Sequence, residues 1–184
     1  MIMINVNLKR VISSVIFGLM LVMGFSARAD EVDDAVVLVA KFEGFRSKQY
    51  SDHGQMAIGY GTEVGRAKKL GYKGGEVTEA QAKLYLKKCV AQEVQFLKES
   101  IPSYTKLKQN QKAALISLSY NSRELVGPNL KAYIKAKNFN EAAKEIGLGH
   151  NATLYGLIKR RAAEANHFAG KVVITEQMVA MQRK

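Results

Sequence analysis

The sequence predicts an α+β chain. A small N-terminal lobe with a helix and a β-hairpin or small sheet is followed by a mostly helical lobe, with a cleft between them. Three observations predict it. Residues 50–73 are rich in glycine and hold few long apolar runs, which suits short strands and tight turns. From Thr78 onward, apolar residues recur at helical spacing in one segment after another. The 184 residues suffice for one domain with a sizeable core, and the chain has no internal repeats or low-complexity segments.

Taken in order, Asp33 or Asp34 is placed to cap a short helix, in which Val36, Val39 and Phe42 lie at helical spacing and which ends near Glu43-Gly44. The glycine-rich stretch then supplies an antiparallel hairpin or sheet. Thr78-Glu79-Ala80-Gln81 fits a capping box. It opens a long helix to about Glu99, with Ala82, Leu86, Val90, Val94 and Leu97 on its apolar face and Pro102 beyond its end. The segment Gln109–Tyr120 is apolar nearly all round, which places it centrally in the core. Pro128 suits the first turn of the next helix, with Leu130, Tyr133 and Ile134 facing inward. Further helices are predicted over about Asn140–Gly147 and about Tyr155–Ala169, the latter with Leu157, Ala165 and Phe168 as apolar positions. Thr175 is placed to cap a last short helix. Cys89 is the single cysteine, so no internal disulfide forms; within the long helix it reads as a small buried hydrophobe.

The first 29 residues stand apart. Lys9 and Arg10 form a basic start, an uncharged apolar stretch runs from Val11 to Phe25, and Ala27-Arg28-Ala29 forms an A-x-A site. These are the parts of a secretory signal peptide. The apolar run is short for a membrane span, which needs about 20 residues; the alternative is a retained signal-anchor with transient inner-membrane contact. Either way the domain, residues 30–170, works outside the cytoplasm, in the periplasm or secreted. Residues 171–184 form a tail of unassigned role.

The chain holds 28 Lys and Arg against 16 Asp and Glu, a net charge of +12. Cleavage after Ala29 would remove three basic residues and no acid, lowering the charge to +9. Such a field favours a polyanionic partner. Export, the lack of a long basic tract and the lack of a nucleic-acid motif argue against nucleic acid, leaving anionic lipid, an acidic cell-wall polymer or simply a solvated, soluble surface. No cofactor or metal is expected, and a monomer is expected.

The chemistry concentrates in Glu43–Thr62, EGFRSKQYSDHGQMAIGYGT. Glu43 would sit shielded at a helix end and Asp52 on a polar hairpin. Two acids in contrasting environments suit glycoside hydrolysis, one to protonate the leaving oxygen and one to stay ionised. On spacing alone, two surface acids, one of them in a helix-end ion pair, fit better.

The wider pattern is more specific. Glu43, Gly44, Arg46, Lys48, Tyr50 and Asp52, followed by Ile58-Gly59-Tyr60-Gly61, resemble the opening motif of the phage-type lysozymes, the endolysin muramidase family. NQKAALISLSYN (Asn110–Asn121) is similar to the family's central helix, and GLIKRRAAEANHFAG (Gly156–Gly170) to its closing motif. The resemblance implies a lysozyme-like fold around a glycan cleft and an exported muramidase that hydrolyses the β-1,4 bond between N-acetylmuramic acid and N-acetylglucosamine. It implies Glu43 as general acid, Asp52 as the carboxylate assisting water, and Arg160 against the catalytic glutamate, with Arg161 the alternative one residue on. It implies Tyr120, Asn121 and Asn129 on the glycan-binding wall, and Thr62 is taken with them as substrate-binding; for Tyr120 core packing stays open beside glycan contact. One departure stands out: Ala57 occupies the place of the family's usual Thr or Ser, whose hydroxyl helps hold the attacking water, and the loop from Asp52 is one residue short. Thr62 and Gln55 are polar neighbours that could substitute, and His53 adjoins Asp52. The departure raises two alternatives, a lytic transglycosylase and a catalytically impaired glycan-binding module.

Overall fold

The computed structural model describes residues 31–52, 54–148 and 155–171. The predicted signal segment, His53, Thr175 and most of the 171–184 tail lie outside these residues.

The chain is already helical at residue 31, and the first helix, α1, runs over 31–43. Asp33 and Asp34 are therefore not caps but lie within the helix. Asp33 pairs with Lys87 at 2.8 Å and Asp34 accepts from Gln109 at 2.8 Å. Residues 35–40 are all buried, because α1 is enclosed on every side rather than lying on a surface with one dry face. It stops at Gly44, whose φ of +65° breaks the helix and whose N–H donates to the Ala40 carbonyl.

Three antiparallel strands follow in the order β1 (Arg46–Asp52), β2 (Gln55–Gly59) and β3 (Thr62–Glu63). Asp52 opposes Gln55, closing a tight hairpin in which Gly54 takes a φ of +85°. Tyr50 opposes Ala57, and Ala57 opposes Glu63, so these three share one face of the sheet. Ile58 and Thr62 share the other, and both are buried. The glycine-rich stretch also holds a one-and-a-half-turn helix, α2 (Val64–Lys69), in place of the further strand and turn its glycines suggest.

The long helix α3 (Glu79–Ser100) begins with the predicted capping box. Thr78 Oγ1 accepts from Gln81 N–H at 3.2 Å, and Gln81 Oε1 accepts from Thr78 N–H at 2.9 Å. Its predicted apolar face is buried, as is Cys89. Helix α4 (Gln109–Asn121) buries every residue from Ala113 to Ser119 and forms the centre of the helical lobe. Pro128 opens α5 (Pro128–Lys135), and α6 (Phe139–Leu148) and α7 (Tyr155–Phe168) complete the lobe, with α7 packed on α4 and α6. The architecture is the α+β, lysozyme-like arrangement that the sequence predicts. Helix α7 departs from its expected pattern. Arg160, Arg161, Glu164 and His167 are buried on it beside Phe168, so charges occupy much of its dry face.

Candidate active site

Glu43 is the last residue of α1, and its side chain is 19% exposed. Arg160 comes to it from α7, 117 residues away in the chain, and Nη1 donates to Glu43 Oε1 at 2.6 Å. The other two nitrogens of Arg160 are also used. Nε donates to Glu164 Oε1 at 3.1 Å and Nη2 to the Ser117 carbonyl at 3.1 Å. The guanidinium also lies 5.5 Å from the centre of the Phe42 ring. Three acceptors in three directions fix the plane of Arg160, a geometry a lysine cannot copy. Arg161, the alternative partner, points elsewhere, pairing with Glu164 Oε2 at 2.7 Å and donating to Asn121 Oδ1 at 2.7 Å.

Glu164 has no exposed surface, and burial pushes its carboxyl pKa up while Arg161, Arg160 and Ser117 pull it down. Ser117 Oγ donates to Glu164 Oε1 at 2.6 Å. Burial lowers the Arg161 pKa, with Glu164 opposing.

The glycines behind Glu43 have separate reasons. Gly61 has a φ of +74°, and a Cβ built there would lie 2.8 Å from Glu43 Oε2. Gly59 has a φ of +67°, and its Cβ would lie 2.7 Å from that of Ala82 on α3. One glycine leaves room for the carboxylate and the other lets the sheet lie against the long helix. Tyr60, between them, is buried. Its hydroxyl donates to Glu79 Oε1 at 2.8 Å, and its carbonyl accepts from Tyr120 Oη at 2.9 Å. The Tyr60 phenol thereby holds the Glu79 carboxyl below the usual range, with Lys83 assisting, while burial and Glu79 raise Tyr60 itself.

Asp52 is exposed at the hairpin end of β1. Tyr50 links it to the Glu43 region: burial raises the Tyr50 pKa first, then the charges of Asp52 and Glu43, while Gly61 offers its backbone N–H to the phenol. Arg46 stacks on the Tyr50 ring at 4.2 Å. Ala57, on Tyr50's face of the sheet, is 3% exposed and brings no hydroxyl to that face. The structure thus brings together Glu43, Arg160, Tyr50, Tyr120 and, through Arg161, Asn121. Thr62 is 2% exposed on the opposite, core-facing side of the sheet, against Cys89 and Tyr120, so its hydroxyl is buried. Asn129 is exposed on the first turn of α5, outside this cluster. Tyr120 is half-buried, and its hydroxyl is engaged on the turn, so packing accounts for that end of the side chain.

A cavity of about 660 Å³ continues from Tyr120 and Asn121 to Glu63, Arg66, Glu93 and Arg123. Its buried Glu93 is gripped by both arginines, at 3.3 Å from Arg66 and 3.0 Å from Arg123. Among the described residues no group of three or more His, Cys, Asp or Glu could hold a metal ion.

The family model for phage lysozyme matches residues 40–164, which contain all of these groups. The chain belongs to the phage lysozyme family. As a lysozyme it is a glycoside hydrolase, an enzyme that breaks down peptidoglycan. The muramidase domain of SpmX from Asticaccaulis excentricus is similar over 73% of this chain and 93% of its own, at 28% identity and a TM-score of 0.60. The endolysin of Escherichia coli O157:H7 phage FAHEc1 is similar over 77% of this chain and 94% of its own, at 25% identity and a TM-score of 0.62. The P1 phage endolysin Lyz shares the fold, with a TM-score of 0.63 at 17% identity over 76% of this chain and 85% of its own. No curated protein sequence matches the chain.

Sequence reasoning left three participants in this lysozyme without a role. Glu164 stands four residues after Arg160 and three after Arg161, a helical spacing that signals pairing. Ser117 sits in an otherwise apolar run. Tyr60 anchors the turn, which its place between two glycines does not disclose.

Proposed function

We propose that the lysozyme hydrolyses the β-1,4 bond between N-acetylmuramic acid and N-acetylglucosamine, with Glu43 as general acid and Asp52 assisting water. The observation that carries this reading is the placement of Glu43. One carboxyl oxygen is held by Arg160, and the other stands beside Gly61, which has no side chain to crowd it. In the reaction the Glu43 proton passes to the leaving glycosidic oxygen. The water oxygen joins the anomeric carbon, and Asp52 takes the proton that water gives up. Arg160 holds the acid, and Tyr120, Asn121 and Asn129 form the glycan wall.

Ala57 favours a second reading, a lytic transglycosylase. With no hydroxyl there to hold water, attack by the sugar's own hydroxyl gains relative to hydrolysis. Mass spectrometry of products from purified peptidoglycan tests both: a reducing muramic acid supports hydrolysis, an anhydro form supports transglycosylation, and an intact polymer overturns both.

The proposed site of action is outside the cytoplasm, reached through residues 1–29 as a signal peptide or signal-anchor. The A-x-A site and the basic charge support it. Among the described residues no helix is long and apolar enough to cross a membrane.

A further inference from the structure

We propose that Glu164 is a positioning residue of the reaction, its one carboxylate aiming Arg160 at Glu43 and Arg161 at Asn121. The proposal rests on Glu43 being the acid. Glu164 Oε1 accepts hydrogen bonds from Arg160 Nε and Ser117 Oγ, and Oε2 forms an ion pair with Arg161 Nη1 at 2.7 Å. From this hub, Arg160 continues to Glu43 at 2.6 Å and Arg161 to Asn121 at 2.7 Å. The two ends of the cluster therefore come out at the acid and at the glycan wall, while its middle has no exposed surface.

Stability does not explain such a cluster. Two carboxylates and two guanidiniums stand together in the protein, and the cost of removing them from water offsets their attraction; well-packed apolar side chains would often serve stability as well. What apolar side chains cannot do is orient a planar guanidinium. Arg160 must present Nη1 to Glu43, and this requires acceptors on its other two nitrogens. The Ser117 carbonyl supplies one and Glu164 the other. Because Ser117 also donates its hydroxyl to Glu164, helix α4 fixes the hub from the side opposite its own helix.

Glu164→Gln keeps the side chain's size but turns an N–H₂ group toward one of the arginines. In the full chain, kcat on peptidoglycan is expected to fall roughly tenfold to a hundredfold, the range for a displaced catalytic group. In an Arg160→Gln background the same substitution is expected to lower kcat much less, since the Arg160 arm is already lost and only the Arg161–Asn121 arm remains to be disturbed. A merely structural Glu164 would lower the melting temperature in both backgrounds and leave kcat per folded molecule intact. Ser117→Ala removes only the 2.6 Å bond to Oε1, so it reads the same contact if Glu164→Gln does not fold. Its expected effect is a severalfold lower kcat. An activity-independent readout is the Arg160 Nε–H resonance in ¹⁵N spectra, whose exchange with water should quicken in either variant. Unchanged kcat in the variants that fold, a full loss retained in the Arg160→Gln background, or an unmoved Arg160 resonance would each overturn the proposal. A wild-type chain that leaves peptidoglycan intact would instead overturn the lysozyme mechanism, and the resonance would still test the aiming of Arg160.

Discussion

At the scale of single residues, Glu43 and Gly61 carry the sharpest expectations. Glu43→Gln keeps an oxygen for Arg160 but has no acid proton to give. Lytic activity should fall by about a hundredfold or more, with a near-normal melting curve. Full activity in a folded variant would exclude Glu43 as the acid. Gly61→Ala places a methyl group against Glu43 Oε2 and forces a left-handed backbone on alanine. Stability should drop by roughly 1–2 kcal/mol from the backbone alone, and activity per folded molecule by about tenfold. Gly71→Ala is the control, since Gly71 has a φ of +101° but nothing within 4 Å of the added Cβ. It should lower the melting temperature and spare turnover. The proximity of Glu43 to the glycine turn was legible in the sequence because they lie within twenty residues of each other. The burial of Thr62 was not, because one residue of strand register decides which face it takes, and the register is set by pairing with β2.

At the scale of elements, β2 carries the Ala57 question. Ala57→Thr adds a hydroxyl on the Tyr50 face. If a missing water-holder limits hydrolysis, the rate should rise severalfold to about tenfold, since one net hydrogen bond is worth about 0.5–1.5 kcal/mol. The site is buried, so overpacking should cost roughly 1–3 kcal/mol of stability. Activity and melting temperature measured on one preparation separate the two effects, and a folded variant with no faster hydrolysis removes the idea. The bond from Tyr60 to Glu79 joins the turn to α3 and gives a pH expectation. The lowered Glu79 carboxyl contributes stability above the ordinary glutamate range and loses it as pH falls through its own lower value. The melting temperature of Tyr60→Phe should therefore decline less between about pH 5 and pH 3 than that of the wild type. The capping box and the apolar faces of α3 and α4 were readable because local spacing determines them. Helix α7 was only half readable: its outline followed from spacing, but spacing alone does not tell Arg160 and Arg161 from basic residues on a solvated face. Their burial depends on acceptors at Glu43, Ser117 and Asn121, which only the fold assembles.

At the scale of the whole molecule, α1 ties the chain's beginning to its helical lobe. Glu31 is buried and meets Lys112 at 3.1 Å, while Asp33 and Asp34 reach Lys87 and Gln109. These three acids lie just past the proposed cleavage site, and the helix they anchor ends in Glu43. Lys112→Ala should lower the melting temperature, because it leaves the Glu31 carboxylate buried without its cation, a loss of about 3–5 kcal/mol for a fully buried pair and less here because Lys112 is partly exposed. Export itself is checked by fractionation and N-terminal sequencing: Asp30 as the first residue supports cleavage, an intact membrane-bound chain supports anchoring, and an unprocessed cytoplasmic chain refutes both.

The Gly59-Tyr60-Gly61 turn touches α1 through Glu43, α3 through Ala82 and Glu79, and α4 through Tyr120. Three helices meet the sheet at this one place, which is where a pivot between the lobes would sit. If the lobes rock apart to admit a polymer, displacement grows with distance from the turn, greatest at the hairpin tip beside Asp52 and at the outer helices. Glu43, the proposed acid, lies against the axis of such a motion. The jaws would then widen around a long strand with Glu43 nearly still, and closing them would bring Asp52 back toward it.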